Sequence, residues 1–333
     1  MKIKQSIDIN QIVNLLLGKE CLANIDLWNS QIRALSKAIS FIENDPLLAP
    51  KLLSHPNLTQ QINKNKTRVI GITGLPGAGK SSLTNLILKE FRKLQKKVAV
   101  FAVDPSSSLS GGAILGDRVR MQEHFRDSEV FIRSMGSRGA LGGVARATRS
   151  AIRLATILDF DYVLVETVGI GQSESEITSI ADTTLLVLMP NSGDEIQLMK
   201  SGILQLANIY VINKCDLADA SRMMQELKEN TAPSAENMWE PPVLKTSVVN
   251  CEGISEVITS LFAHENFEKN NSTGQELKNI RLRKEILQNI LILAEEVFNE
   301  KVDELTIEDI EKLSIGQTTA MAIANNIFQS KIK

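Results

Sequence analysis

Gly74-x4-Gly79-Lys80-Ser81 lies within GITGLPGAGKSSLTN, directly after an apolar run and directly before a helical pattern. A phosphate-binding loop needs that context. Glycines let the backbone bend until its N–H groups reach phosphate oxygens, and the helix that follows turns its positive end to the same place. Gly74, Gly77, Ala78, Gly79 and Ser82 read as loop contacts. Lys80 reads as the cation bridging the β- and γ-phosphates, and Ser81 as a ligand to Mg2+.

Asn213, Lys214 and Asp216 (NKCD) close the later apolar stretch NIYVINK. An aspartate can accept from both N1–H and N2–H of guanine. Adenine offers no such pair, so the carboxylate discriminates between the bases. Asn213 and Lys214 are expected to brace the loop and cover the base. Ser247 and Val248, in TSV after the next apolar stretch, are expected to supply a backbone amide to the base. Cys215 fills the free position of the motif and is read as packing.

DYVLVETVGIGQSE carries a glutamate, Glu166, at the end of an apolar run, where an unpaired carboxylate is expensive to bury. Placed after the strand beside the P-loop strand, Glu166 would face Mg2+, directly or through water. Gly169, three positions on, would bring its amide to the γ-phosphate. Asp104 ends VAVFAVD at the same sheet edge and is a candidate Mg2+ ligand or outer-sphere partner; the alternative is a turn-starting Asp-Pro. Two glycine-rich stretches follow, one with Asp117 and Arg118, one basic with Arg138, Arg146, Arg149 and Arg153. Most of these arginines read as a solvated helix face. NSGDEIQLMKSGI adds a further loop with Asp194 and Lys200 near the phosphate edge.

The elements that must hold these residues follow from patterning. RVIGITG, KVAVFAVD, DYVLVE, TTLLVLMP, NIYVINK and PPVLKTS read as strands alternating with helices. The fold class is therefore α/β, a doubly wound, mostly parallel sheet. Residues 1–62 read as an N-terminal helical extension, 63–262 as the nucleotide-binding domain and 263–333 as a C-terminal helical segment, with the polar stretch 60–67 as a linker. Net charge is −2 over 333 residues, which argues against broad nucleic-acid or anionic-membrane binding. Three cysteines without metal-ligand spacing, no apolar run of membrane-spanning length and no secretory pattern give an expectation of a cytoplasmic protein.

The combination of GITGLPGAGKSSL, VDPSSSLSGGAILGDRVRM, SRGALGGVARATR, FDYVLVETVGIGQSE, GDEIQLMKSGI and NKCD, in that order, resembles the MeaB/MMAA/ArgK family of P-loop GTPases. These GTPases chaperone adenosylcobalamin-dependent methylmalonyl-CoA mutase. The resemblance implies slow GTP hydrolysis to GDP, accelerated by the mutase, and gating of cobalamin loading and protection. It implies a homodimer formed through the C-terminal arm. By matching position, Asp104, Asp117 and Glu166 fall on metal-site and switch residues, while Asp194 and Lys200 fall in a third switch loop coupled to the partner. The candidate catalytic set is thus Lys80, Glu166, Asp104 and Lys200. Gln172, three residues after Gly169, is assigned to the switch and not to catalysis. The chain departs from the family at Ser201, where a second lysine is usual, and at RSMG (Arg133 to Gly136), where a proline-containing stretch is usual. A GTPase metallochaperone for another metalloenzyme and an ArgK-type transport-associated kinase or ATPase are the competing readings. Three scattered histidines count against a carried metal, and NKCD counts against ATP. A purely structural dimeric module would leave the P-loop, Glu166 and NKCD unexplained.

Overall fold

The computed structural model describes residues 8–45, 48–62, 67–104, 121–136, 143–167, 177, 179–190, 204, 207–217, 219–230 and 239–332. Its strands are β1 (Arg68–Gly74), β2 (Val98–Asp104), β3 (Val130–Gly136), β4 (Tyr162–Thr167), β5 (Thr183–Leu188), β6 (Ile209–Ile212) and β7 (Val243–Lys245). They form one sheet in the order β3-β2-β4-β1-β5-β6-β7, every pairing parallel. All carboxyl ends therefore lie along one edge. The chain leaves β1 for β2 on one side and later returns to β5 on the other, so the crevice between the two directions opens at the end of β1.

Alternation along each strand sends side chains to opposite faces. In β4, Tyr162 and Leu164 join one buried cluster, and Val163 and Val165 join the other. The first face is covered by α5 (Lys80–Lys93), α7 (Ala220–Asn230) and α8 (Ile254–Asn270). Leu83, Ile87 and Phe91 form the buried stripe of α5 and are fully buried.

The second face is covered by α6 (Gly143–Ile157) together with the N-terminal helices α1 (Ile9–Leu16), α2 (Leu27–Asn44), α3 (Leu48–Leu53) and α4 (Pro56–Ile62). Helix α2 begins at Asp26, whose side chain accepts from the Asn29 amide. It buries Leu35 and Ile39 completely, in the same cluster as Phe101, Phe131 and Val163. Each such side chain contributes about 1.5–3 kcal/mol. The N-terminal helices thus complete one side of the sheet's core.

Two segments differ from the sequence expectation. Residues 60–62, expected as linker, form the last turn of α4, and Thr67 donates its hydroxyl to the Phe160 carbonyl at 2.6 Å. Strand β3 was absent from the expected set because Arg133 sits in its middle. That arginine forms an ion pair with the buried Glu43 of α2 and donates to Ser36 and Ser40. A charge compensated from another element does not disturb the sheet.

The chain divides into two compact units, Met1–Glu276 and Leu277–Lys333. The second unit contains most of α9 (Ser272–Asp303), with α10 (Ile307–Ser314) and α11 (Ala320–Ile332). Within it Ile286, Leu287, Ile290 and Leu291 are each more than half exposed. Among the described residues no helix is long and apolar enough to cross a membrane.

Candidate functional site: a nucleotide cleft at the carboxyl edge

The loop joining β1 to α5 is shaped by its glycines. Gly74 has φ 139°, and a Cβ there would lie 1.9 Å from the Val187 carbonyl oxygen of β5. Gly79 caps α5 with φ 87°, and a Cβ there would lie 2.4 Å from Asn213 Nδ2. Any side chain at either position would force the strands or the loop apart. Helix α5 has no side-chain cap and no acidic residue in its first turn. Its first residue is a buried lysine. Positive charge on a helix N-terminus is unfavourable by itself and becomes favourable when an anion is bound there. Lys80 Nζ donates to the carbonyls of Gly74 and Leu75 at 2.8 and 2.9 Å, which holds the ammonium against the loop.

Glu166 is 1% exposed and sits level with Ile72 of β1 and Ala102 of β2. Ser81, in the first turn of α5, donates its hydroxyl to Glu166 Oε1 at 2.5 Å. A hydroxyl and a carboxylate from elements 85 residues apart therefore meet beside the helix N-terminus. Both donors are oxygen, the set a small hard divalent cation takes. Beyond Glu166, Thr167 donates to the Thr73 hydroxyl at 3.0 Å and ties the end of β4 to β1.

Asn213 leaves β6 and joins three segments. Its Nδ2 donates to the Ala78 carbonyl at 2.7 Å, its Oδ1 accepts from the Thr246 hydroxyl at 3.1 Å, and its backbone amide donates to Leu188. Lys214 has φ 57°, and its ammonium lies 3.7 Å from Met189 Sδ. Met189 is also the neighbour a Cβ on Gly77 would meet, at 3.9 Å, so the lysine leans over the phosphate loop. Asp216 is exposed and accepts from the Ser247 hydroxyl at 2.7 Å through Oδ1. Cys215 is half-buried against the core, and burial pushes its thiol above the ordinary value, which agrees with a packing role.

Among the expected site residues, hydrogen bonds join Gly74 to Lys80, Ser81 to Glu166, Ala78 to Asn213 and Asp216 to Ser247; Gly77, Gly79, Ser82, Lys214 and Val248 lie beside them in the same segments. Asp104 closes β2, two positions beyond the level of Glu166. Its side chain, together with Asp117, Gly169, Gln172, Asp194 and Lys200, lies outside the described residues. Of the two residues expected to offer a backbone amide, Ser247 donates its own to the Glu252 carbonyl at 3.2 Å, and its side chain turns to Asp216. Thr246, which sequence reasoning passed over, is fully buried and fixes Asn213; a hydroxyl directly after a strand end was the available signal. Arg149, one of the four arginines of which most were read as a solvated face, donates to Ser179 Oγ at 2.6 Å.

A protein of Pyrococcus abyssi named as a GTPase is 41% identical over 262 residues, covering 76% of this chain and 78% of its own. The methylmalonic aciduria type A homolog, mitochondrial, of Caenorhabditis briggsae is 38% identical over 199 residues, 58% of this chain and 48% of its own. Among solved structures, a LAO/AO transport system kinase aligns over 100% of both chains with TM-score 0.61 and 22% identity, which supports the fold. The P-loop, the guanine-type loop and these relatives make the chain a GTPase that binds guanine nucleotide. The model of the methylmalonyl-CoA mutase-associated GTPase MeaB matches residues 35–305, a span containing every site residue described above, and the chain belongs to that family.

Proposed function

We propose that the chain is a GTP-hydrolysing chaperone that gates adenosylcobalamin loading and protection of an acyl-CoA mutase of the methylmalonyl-CoA type. The observation that carries the hydrolytic half is the Ser81–Glu166 contact beside the N-terminus of α5. The P-loop amides and Lys80 hold the phosphates, Asp216 reads the base, and Asn213 keeps the two halves of the cleft in register. Ser81 and Glu166 fit Mg2+ by donor type and would hold it, with Asp104 as a further candidate. When bound, Mg2+ supplies positive charge to the β- and γ-phosphate oxygens. Lys80 adds a second positive charge, and the buried strand ends around Glu166 keep bulk water away, which strengthens both interactions. Asp117, Gly169, Gln172, Asp194 and Lys200 belong to this reading as switch and coupling residues.

The family description and the aciduria-related name of the nematode relative support this client. A homodimer through the C-terminal unit is part of the proposal. A second copy would cover the exposed row of Ile286, Leu287, Ile290 and Leu291, since apolar surface of that extent is unfavourable in water. The test is steady-state GTP hydrolysis, alone and with an adenosylcobalamin-dependent acyl-CoA mutase of the same organism, with ATP in parallel. Slow GTP turnover that rises with the mutase is expected. GTP turnover unaffected by the mutase would refute the chaperone role and leave the GTPase intact.

A further inference from the structure

At its carboxyl edge the sheet parts between β1 and β4. Their backbone pairing ends at the rung of Ile72 and Glu166. Strand β1 goes on beside β5 as far as Gly74 and Val187, while β4 goes on beside β2 as far as Val103 and Thr167. Gly74 lies so close to the Val187 carbonyl that no Cβ fits, which keeps the end of β1 on the β5 side. The parting therefore begins directly after Glu166 and directly before the P-loop.

Side-chain bonds tie the two sides together on both faces. On the first face Ser81 donates to Glu166 at 2.5 Å. Alternation turns the next residues of both strands to the second face. There Thr167 donates to the Thr73 hydroxyl at 3.0 Å, where the next rung of the ladder would stand. Both threonines are 2% exposed, and neither hydroxyl has another partner among the described residues. The two ties differ in one respect. Ser81 and Glu166 offer the oxygens that suit a small divalent cation, and oxygens turned to a cation give up their bond to each other. Thr73 and Thr167 have no such second task.

We infer that Thr73 and Thr167 are positioning residues for the divalent-cation site: their hydroxyl bond stands in for the missing backbone rung and holds Glu166 at a fixed distance from the P-loop. The inference rests on Ser81 and Glu166 as the cation's ligands. Mg2+ demands near-ideal octahedral geometry, so a carboxylate free to shift with its strand binds it less tightly. Nucleotide affinity without the cation is not expected to change, since neither threonine lies in the P-loop helix or the NKCD loop.

The experiment titrates Mn2+, a paramagnetic stand-in for Mg2+, into the GDP-loaded protein and measures free cation by electron paramagnetic resonance, so no turnover is needed. The parent is compared with the double variant Thr73→Val/Thr167→Val. Removing both hydroxyls while keeping both shapes strands no buried group and is close to neutral for stability, which melting curves check. Mn2+ binding is expected to weaken about 5-fold, the size of one neutral hydrogen bond, with GDP affinity in excess chelator kept within about 2-fold. Thr167→Ser retains the hydroxyl and is expected to keep the parent's Mn2+ affinity. Unchanged Mn2+ affinity in the folded double variant overturns the inference. An equal loss of GDP affinity in chelator overturns it too, since that marks a general loosening of the cleft, and so does a full loss in Thr167→Ser, which assigns the effect to the methyl group. If the double variant melts well below the parent, Thr167→Ala carries the same expectation and the same refutation. Glu166→Gln separates the two layers of the argument. If it leaves Mn2+ affinity untouched, the reading of Glu166 as a ligand fails. If it weakens Mn2+ binding while the double threonine variant does not, only the threonine inference fails.

Discussion

Asn213 donates its side-chain amide to the carbonyl of Ala78 at 2.7 Å, across 135 residues of sequence. The bond closes the P-loop onto the NKCD loop. Asn213 is 1% exposed, so no water stands ready to replace it. Asn213→Ala removes one buried donor and leaves the Thr246 hydroxyl without its acceptor, at about 1–3 kcal/mol for each stranded group. Calorimetry on the variant is expected to show GDP affinity reduced by at least about 10-fold, with a lower melting temperature. A fall in melting temperature at unchanged GDP affinity would separate the bond from the site.

Glu166→Gln keeps the shape of the side chain and removes its charge. Ser81 retains an acceptor, so folding and GDP binding are expected to change little. GTP turnover is expected to fall by about 100-fold, the scale of losing one fixed electrostatic partner of a transition state. Single-turnover hydrolysis alongside GDP titration checks this, and equal losses in both would point to a general structural defect.

His124 lies against α5 with its Nε2 3.0 Å from Asn85 Oδ1, facing Glu123, Lys89, Asp127 and Arg92. Burial lowers its pKa from the ordinary 6.5, and the acidic neighbours only partly offset that. The unfolded chain therefore binds this proton more readily than the folded one. Stability from the neutral imidazole is fully present above about pH 6.5 and declines as pH falls toward the lowered folded value. Melting curves between about pH 7.5 and pH 5.5 should slope less steeply for His124→Gln than for the parent. Parallel slopes would assign the acid sensitivity to other groups.

In the C-terminal unit, Leu287→Glu with Ile290→Glu places two charges on the exposed apolar row. If a second copy covers that row, light scattering will show the parent as a dimer and the variant as a monomer, with intrinsic GTP turnover within about 2-fold. A monomeric parent would remove the dimer from the proposal.

Much of this was legible in the residues because the chemistry is local. Gly74, Gly79, Lys80 and Ser81 occupy eight consecutive positions, and NKCD needs only four. The parallel α/β fold followed from six apolar runs, all of which became strands. Strand β3 was hidden because Arg133 breaks its alternation, and the compensating Glu43 lies 90 residues earlier in another element. Strands β6 and β7 are shorter than the runs that marked them, and the side chains of Asn213 and Thr246 just past their ends bond each other. The contact between the Ser247 side chain and Asp216 was equally invisible. It depends on the turn to Glu252 and on the approach of Asp216, neither of which a spacing can encode.

The N-terminal helices that complete the second face of the sheet set a problem of timing during synthesis. Leu35, Ile39 and Ile42 leave the ribosome first, yet the surface they cover includes Val163 and Val165 of β4. At ordinary elongation rates of about 5–20 residues per second, those apolar groups wait roughly 6–25 s for their partner. During that interval the helices present to solvent, or to a chaperone, the stripe that later becomes core. The nascent chain is therefore most exposed to misassociation before its P-loop strand has found its neighbours.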